Sequence, residues 1–267
     1  MKPVVGLIAG NGKFPILLGR SIRREGRRVV AAAHAGETRK DLKGYVDALQ
    51  WVEIGQMEPI IRFFKEEGVA EVLLAGAIAK THFFSRLKPD ARALKVLSRL
   101  RDKKDDALLR AIAEEIESEG MRVIGPAAYL QEHMAPAGCW SIRPPTEREM
   151  KDIRFGWELA RQMGTLDIGQ SVVVKDQIIL AVEAIEGTDA TIRRGGKLGR
   201  GGVAVVKICK PTQDQRFDLP VIGPATIRVL SRAGGSLLAV EAGKTLVMDK
   251  EKVIGEADRK GVCLFGI

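Results

Sequence analysis

The first half of this chain alternates short apolar runs with longer amphipathic stretches, and this alternation limits the folds that it can adopt. The stretch opened by Pro59 places apolar residues at helical spacing, and a proline at a first helical position is favourable. Strands that alternate with such helices form a parallel sheet. The pattern predicts an α/β domain whose strands are residues 4–9, 29–33, 51–54, 69–75 and 121–124.

A proline-rich stretch separates this half from the rest. Residues 135–145 contain three prolines and a glycine, which is typical of a linker. Thr146 then stands three residues before Glu149, a capping box that predicts a helix start. Apolar runs interleaved with short helices follow and predict a mixed α/β domain. We expect a first domain at 1–134, a linker at 135–145 and a second domain at 146–267.

The amino-acid composition limits the classes of binding partner and the cellular compartment that are expected. Lys and Arg number 43 against 34 Asp and Glu, a net charge of +9 that favours anionic partners. Aromatic residues make up only 5%, and no basic helix carries stacking residues, so nucleic acid is not expected as a partner. Cys139, Cys209 and Cys263 fit neither a disulfide framework nor a zinc site, which favours a reducing cytoplasm. No run approaches the ~18 apolar residues of a membrane span, so any membrane contact is expected to be peripheral.

A glycine turn follows the first predicted strand. Gly10, Asn11 and Gly12 lie between that strand and a helix, where backbone N–H groups favour phosphate. The dinucleotide fingerprint is incomplete, because Pro15 replaces its third glycine and no acidic residue follows the second strand near His34. The turn therefore predicts a Rossmann-like phosphate or nucleotide site rather than a nicotinamide site. The alternative is a tight turn that needs glycine for geometry alone.

Charged residues cluster after the apolar run at residues 203–208. The segment 210–220 would place Asp214, Arg216 and Asp218 at alternate positions of an extended chain, on one side of it. Such a set is typical of a phosphate or metal site. Solvated loop residues that form caps and surface pairs are the alternative.

A second acidic set, Glu183, Glu186 and Asp189, follows another apolar run. Carboxylate oxygens suit a hard cation such as Mg²⁺. Downstream, glycines separate a run of cations, which predicts a mobile cationic loop that closes on a diphosphate, touches acidic lipid or is simply solvated. These cations are Arg193, Arg194, Lys197 and Arg200.

Five blocks in order carry a resemblance to a known family: residues 6–15, 105–109, 183–190, 210–223 and 239–243. In this combination the sequence closely resembles the two-domain UDP-2,3-diacylglucosamine diphosphatases of lipid A synthesis, which are unrelated to calcineurin-like phosphoesterases. Each block alone is weakly diagnostic, but the five together are specific. One departure falls at residues 77–80, where a more basic segment is expected.

The resemblance implies a magnesium-dependent hydrolase. Water would attack the sugar-side phosphorus of UDP-2,3-diacylglucosamine and release UMP and 2,3-diacylglucosamine 1-phosphate (lipid X). It also implies a Rossmann-like N-terminal domain, a C-terminal catalytic domain and a lipid product held between them. The protein would be cytoplasmic, with peripheral contact to the inner membrane, and a homodimer is among the oligomeric states left open.

The motifs and the resemblance together give a set of site residues. The essential aspartate is expected at Asp214 first and Asp218 second, with Lys210 as a catalytic cation. Asp214, Asp189 and Glu186 are the expected metal ligands. The expected substrate-binding residues are Gly10, Asn11, Gly12, Lys13, Phe14, Gly76, Thr188 and Arg216.

Two other functional classes of protein remain as alternatives. A Rossmann-type nucleotide-dependent oxidoreductase would need a cofactor acid and a proton donor that the sequence does not reveal. A non-catalytic module that binds acidic lipid or nucleotide would explain the charge but not the clustered acids.

Overall fold

The computed structural model describes residues 3–78, 87–100, 105–211 and 213–267. They divide into a first unit, Met1–Leu130 with Asp214–Phe217, and a second unit, Gln131–Gln213 with Asp218–Ile267. Residues 79 and 80 of the expected basic segment, Thr212 and the side chains of Asp105 and Asp106 lie outside the described residues.

A parallel five-stranded sheet with the order β3-β2-β1-β4-β5 forms the centre of the first unit. This confirms the predicted fold class. The elements are β1 (Val4–Ala9), α1 (Phe14–Arg24), β2 (Val29–His34), β3 (Ala48–Val52), α2 (Glu58–Glu66), β4 (Val69–Ala75), α3 (Ala91–Arg99), α4 (Asp105–Ser118) and β5 (Arg122–Val123).

The strands of the first unit follow the apolar runs because both faces of the sheet are covered. Every residue of β2 is buried, and Phe64 of α2 is fully buried against the sheet. Gly6 allows this contact, since a Cβ there would lie 2.9 Å from the Phe64 ring. The strand order reverses between β1 and β4. In open α/β sheets, ligands bind next to a reversal of this kind, at the carboxyl ends of the strands.

A mixed six-stranded sheet with the order β6-β13-β11-β9-β7-β8 forms the centre of the second unit. The central strands β9, β11 and β13 are parallel, whereas β7 is antiparallel to β9 and β8. The elements are β6 (Gly138–Cys139), α5 (Glu147–Thr165), β7 (Ser171–Lys175), β8 (Ile178–Val182), α6 (Thr188–Gly199), β9 (Val203–Lys207), β10 (Val221–Ile222), α7 (Pro224–Arg232), β11 (Gly235–Val240), β12 (Leu246–Val247), α8 (Lys250–Lys260) and β13 (Cys263–Gly266).

Helices cover both faces of this sheet. On one face α5 packs over β7 and β9, with Ile153 and Met163 in the core. On the other face α6, α7 and α8 pack over a core that includes Ile192, Ile227 and Val253. No helix among the described residues is long and apolar enough to cross a bilayer.

Residues 135–145, expected to form a linker, belong to the second unit. Gly138 and Cys139 form β6, which pairs antiparallel with β13, and Ala135 is buried in the core beneath α6 to α8. Prolines at both ends of the stretch made it resemble a linker. The strand between these prolines pairs with β13, which lies more than 120 residues away in the sequence and could not be inferred from local composition.

The prediction of a mobile cationic loop is wrong, because Arg193, Arg194 and Lys197 lie in α6 and Arg200 is its C-cap. Its glycines serve close packing rather than mobility: a Cβ at Gly195 would lie 2.5 Å from the Val173 side chain, and one at Gly196 would lie 2.3 Å from the Ala233 carbonyl oxygen. Tertiary packing therefore outweighs the low helix propensity of glycine.

A buried carboxylate network fixes the start of α5. The predicted capping box at Thr146 and Glu149 is confirmed. Arg143 donates two hydrogen bonds to Glu149, of 2.8 and 2.9 Å, and the Ser236 hydroxyl donates a third, of 2.6 Å. Burial acts to raise the pKa of Glu149, but these donors outweigh burial and lower the pKa to about 2.

We expect Glu149→Gln to reduce the free energy of unfolding at neutral pH by roughly 3 kcal/mol, since each unit of pKa shift corresponds to about 1.4 kcal/mol. The folded-state pKa is depressed, so this stabilisation is present above the unfolded-state pKa and is lost as pH falls toward about 2. Urea denaturation at several pH values should show the gap between wild type and variant closing below about pH 4.5. Glu158→Gln, at an exposed position on the same helix, is the control. A gap that does not change with pH would contradict the account.

Candidate active site

A buried lysine stands at the carboxyl end of the central strand of the second unit. Lys207 is the last residue of β9 and is only 3% exposed. A lysine in a protein interior needs hydrogen-bond partners and opposite charge, because desolvation of an ammonium group is costly. The groups around Lys207 meet this requirement.

A chain of hydrogen bonds connects this lysine to a glutamate. The Lys207 ammonium donates to the Thr188 hydroxyl at 2.8 Å, and that hydroxyl donates to Glu183 Oε1 at 2.9 Å. The Ser171 hydroxyl lies 3.5 Å from the Thr188 hydroxyl. Thr188 begins α6, so the chain lies at the positive end of a helix. The other oxygen of Glu183, Oε2, is buried without a hydrogen-bond partner among the described residues.

The charge of Lys207 depends on this environment. Burial lowers the pKa of Lys207, and the negative charges of Glu183, Asp218 and Asp189 act in the opposite direction. A cation held in low dielectric interacts strongly with negative charge nearby. The Lys207 ammonium is therefore the group of this cluster that can stabilise negative charge developing on a phosphoryl group.

The three expected metal ligands do not form one group. Glu186 lies 2.5 Å from Arg194 in an ion pair, Asp189 lies in the first turn of α6, and Asp214 belongs to the first unit. Among the residues that the structure describes, no three His, Cys, Asp or Glu side chains are grouped to hold a metal ion.

The segment with Asp214, Arg216 and Asp218 is not extended, so the predicted alternation along one side is wrong. Residues 215–217 form a turn, closed by a 3.0 Å hydrogen bond from the Phe217 N–H to the Asp214 carbonyl. Asp214 and Arg216 belong to the first unit, and Asp218 belongs to the second.

Asp214 holds this turn together. Its carboxylate accepts the Arg216 backbone N–H at 3.0 Å and pairs with the Arg216 guanidinium at 2.8 Å. The hydrogen bond from Arg216 lowers the pKa of Asp214. Phe217 packs against the core of the first unit, and Gly125 gives room for the turn, since a Cβ there would lie 3.1 Å from the Gln215 carbonyl oxygen. These contacts anchor the four-residue segment.

The sequence analysis named Lys210 and did not single out Lys207. Lys210 forms an ion pair with Asp167 at 2.6 Å, whereas Lys207 is buried among carboxylates. The available signal was a lysine inside the otherwise apolar run at residues 203–208. A charged residue in a buried strand requires a functional or pairing explanation.

The glycine edge, which we define as Gly10 to Gly12 with Gly76, lies at the carboxyl ends of β1 and β4 in the first unit. A Cβ at Gly10 would lie 2.5 Å from the Ala77 carbonyl oxygen, and one at Gly76 would lie 2.4 Å from the Asn11 carbonyl oxygen. Gly76 also has a φ of +83°. The two backbone segments can approach each other this closely only if both positions lack a side chain.

Part of the turn is already hydrogen-bonded within the protein. The Gly10 and Asn11 N–H groups donate to the carbonyls of Ala75 and Ala77, both at 2.8 Å. The Asn11 side-chain amide donates to Glu37, a buried residue three positions after the end of β2 that was not predicted. The N–H groups suited to an anion are those at the start of α1, where Lys13 is the N-cap and Phe14 the first helical residue.

These features define a two-unit α/β protein whose strand ends carry groups suited to phosphate. The first unit matches the model of the LpxI N-terminal domain over residues 4–133, and the second matches the LpxI C-terminal domain over residues 136–265. The chain is 39% identical over 274 residues to the UDP-2,3-diacylglucosamine pyrophosphatase LpxI of Caulobacter vibrioides, covering 98% of this chain and 97% of that protein. The chain belongs to the LpxI family, which confirms the predicted resemblance.

Solved structures give only distant similarity. Phosphoribosylglycinamide synthetase from Anaerococcus prevotii matches with a TM-score of 0.29 and 11% identity over 69% of this chain and 39% of its own. The biotin carboxylase domain of a thermophilic 2-oxoglutarate carboxylase matches with a TM-score of 0.24 and 10% identity over 63% of this chain and 34% of its own. These scores support no further conclusion.

We expect Gly10→Ala to reduce the free energy of unfolding by about 1–3 kcal/mol, because the new methyl group overlaps backbone atoms that cannot move independently. Gly44→Ala is the control, since a Cβ there would meet no atom within 4 Å. Urea denaturation of both variants measures the difference. Equal stability of the two variants would show that the glycine edge tolerates a side chain.

Proposed function

We propose that this protein hydrolyses UDP-2,3-diacylglucosamine to UMP and 2,3-diacylglucosamine 1-phosphate (lipid X) in lipid A biosynthesis. The Caulobacter relative carries this activity in its name and aligns over nearly the whole of both chains. The structural observation that carries the proposal is the series of hydrogen bonds from Lys207 through Thr188 to Glu183, at the strand ends of the second unit.

In this proposal Lys207 stabilises the reaction electrostatically. Water attacks the sugar-side phosphorus, the bond from that phosphorus to the bridging oxygen breaks, and UMP leaves with the bridging oxygen. Negative charge accumulates on phosphoryl oxygens as this occurs, and a fixed cation in a desolvated site favours that charge. Thr188 positions the ammonium through its hydroxyl.

We assign the essential aspartate to Asp218. Asp218 acts on the charge of Lys207 and accepts a hydrogen bond from Gln213, whereas Asp214 is neutralised by the Arg216 of its own turn. A carboxylate beside the reacting phosphate can orient and deprotonate water. Asp214 would act indirectly, by anchoring the segment that precedes Asp218.

Magnesium stays a proposal. The expected ligand set of Asp214, Asp189 and Glu186 does not assemble, but Mg²⁺ is usually held by one or two carboxylates together with substrate phosphates. Asp189 and Asp218, whose negative charges both act to raise the pKa of Lys207, would supply those carboxylates. Bound there, the ion would neutralise diphosphate charge.

Peripheral contact with the inner membrane on its cytoplasmic side is also proposed, because the acyl chains of the substrate are insoluble in water. The homodimer stays a prediction that sedimentation equilibrium can test. No observation favours the oxidoreductase or the binding module over the hydrolase.

The direct test is incubation of the purified protein with UDP-2,3-diacylglucosamine and Mg²⁺, followed by chromatography and mass spectrometry. We expect UMP and lipid X in equal amounts, and little product in excess EDTA until Mg²⁺ is restored. Absence of UMP under all conditions would overturn the function. Full activity in EDTA would overturn only the magnesium proposal.

We expect Asp218→Asn to reduce kcat on the order of 10²-fold or more at a temperature where the variant is folded, since it removes an acid–base group from the site. Asp214→Asn should lower the melting temperature as well, because it removes the charge that pairs with Arg216. Steady-state kinetics and thermal denaturation of both variants provide the measurement. Full activity in Asp218→Asn with a loss confined to Asp214→Asn would reverse the assignment.

A further inference from the structure

A surface pocket of about 660 Å³ lies between the carboxyl ends of α6 and α7 in the second unit. We name it the cationic pocket. Its lining contains four cationic side chains and no carboxylate, the remainder being glycines, Val229 and Ala233. The cations are Arg193, Lys197, Arg200 and Arg232.

Helix geometry brings these cations together. Arg193 and Lys197 are four residues apart on α6, and Arg200 follows at its C-cap, so the three share one helix face. Arg232 is the last residue of α7. The two helices approach closely at Gly196, where a Cβ would lie 2.3 Å from the Ala233 carbonyl oxygen. This close packing places Arg232 beside the three cations of α6.

None of the four side chains has an acidic partner in the described part of the chain, in contrast to two cations on the same helices. Arg194 pairs with Glu186, and Arg228 pairs with Glu256. Within the described ranges, none of the four pocket cations forms an ion pair or a side-chain hydrogen bond. The negative end of each helix dipole favours cations in the last turn, but Arg193 lies in the middle of α6. Concentrated like charge repels itself, so an anionic ligand would relieve this repulsion.

The cationic pocket is separate from the Lys207 site. Helix α6 starts at Thr188, beside Lys207 at the carboxyl end of β9, and ends at Gly199, before β9 begins at Val203. Twelve helical residues span about 18 Å. The pocket therefore lies at the opposite edge of the sheet from the candidate active site.

We propose that the cationic pocket is a second binding site, which takes the phosphate groups of an anionic ligand. Guanidinium and ammonium groups on convergent side chains are the donors that bind phosphate oxygens in proteins. Two sources present this chemistry: the headgroup of an anionic phospholipid, or a soluble diphosphate. The binding goes beyond the proposed hydrolysis and does not require it.

The experiment uses the full-length protein with two probes. Phosphatidylglycerol–phosphatidylcholine vesicles test the lipid source by co-sedimentation. Inorganic pyrophosphate tests the soluble source through NMR shifts of the Gly196, Gly201 and Gly234 amides, a local readout that ignores pyrophosphate bound elsewhere. The test variant is R193E/K197E. The control is R154E/K252E, with the same change in net charge at exposed positions on α5 and α8.

We expect at least one probe to bind the wild type and the control, and R193E/K197E to bind it at least tenfold more weakly. Loss of vesicle binding alone identifies a lipid headgroup, and loss of the amide shifts alone identifies a soluble phosphate. R193Q/K197Q should show an intermediate loss, which guards against misfolding of the reversed variant. UMP release in detergent should be unchanged in all of them.

Three results would overturn the proposal. The first is a wild type that binds neither probe. The second is equal binding by R193E/K197E and R154E/K252E, which would show a response to net charge alone. The third is loss of UMP release in R193E/K197E at a temperature where it is folded, which would place the pocket in the active site.

Discussion

The burial of one lysine is the constraint on which the site of the second unit depends. Lys207 is almost fully buried at the end of β9, and burial lowers its pKa. The surrounding elements supply its partners: Thr188 comes from the start of α6 and Glu183 follows β8. The fold thus brings these groups together around a single ammonium. Such costly burial of charge is the reason for proposing a catalytic site here.

Local patterns predicted much of the fold. The apolar runs at residues 4–9 and 69–75 coincide with β1 and β4, and the capping box at Thr146 opens α5. These features depend on neighbours within a few residues, so the sequence displays them directly. The glycine turn after β1 was also correctly placed, because it follows from a strand and a helix that are adjacent in the chain.

The candidate site was harder to predict from local sequence patterns, because its contacts join residues that are distant in the sequence. Asp214 and Asp218 are four residues apart, yet they belong to different units, and the turn between them is closed by a hydrogen bond from the Phe217 N–H to the Asp214 carbonyl. Lys207 was treated as part of an apolar strand, since only the folded sheet brings Glu183 to it. The glycines of α6 suggested a mobile loop, and their role in packing against Val173 and Ala233 appears only in three dimensions.

The central claim is that Lys207, rather than Lys210, is the catalytic cation, and paired lysine variants test it most directly. The measurement is kcat for UMP release by Lys207→Met and Lys210→Met, at a temperature where circular dichroism shows both to be folded. The account predicts a loss on the order of 10²-fold or more for Lys207→Met, as for removal of an electrostatic group. Lys210→Met should keep most of its activity, because Lys210 pairs with Asp167. Near wild-type kcat in folded Lys207→Met would contradict the account.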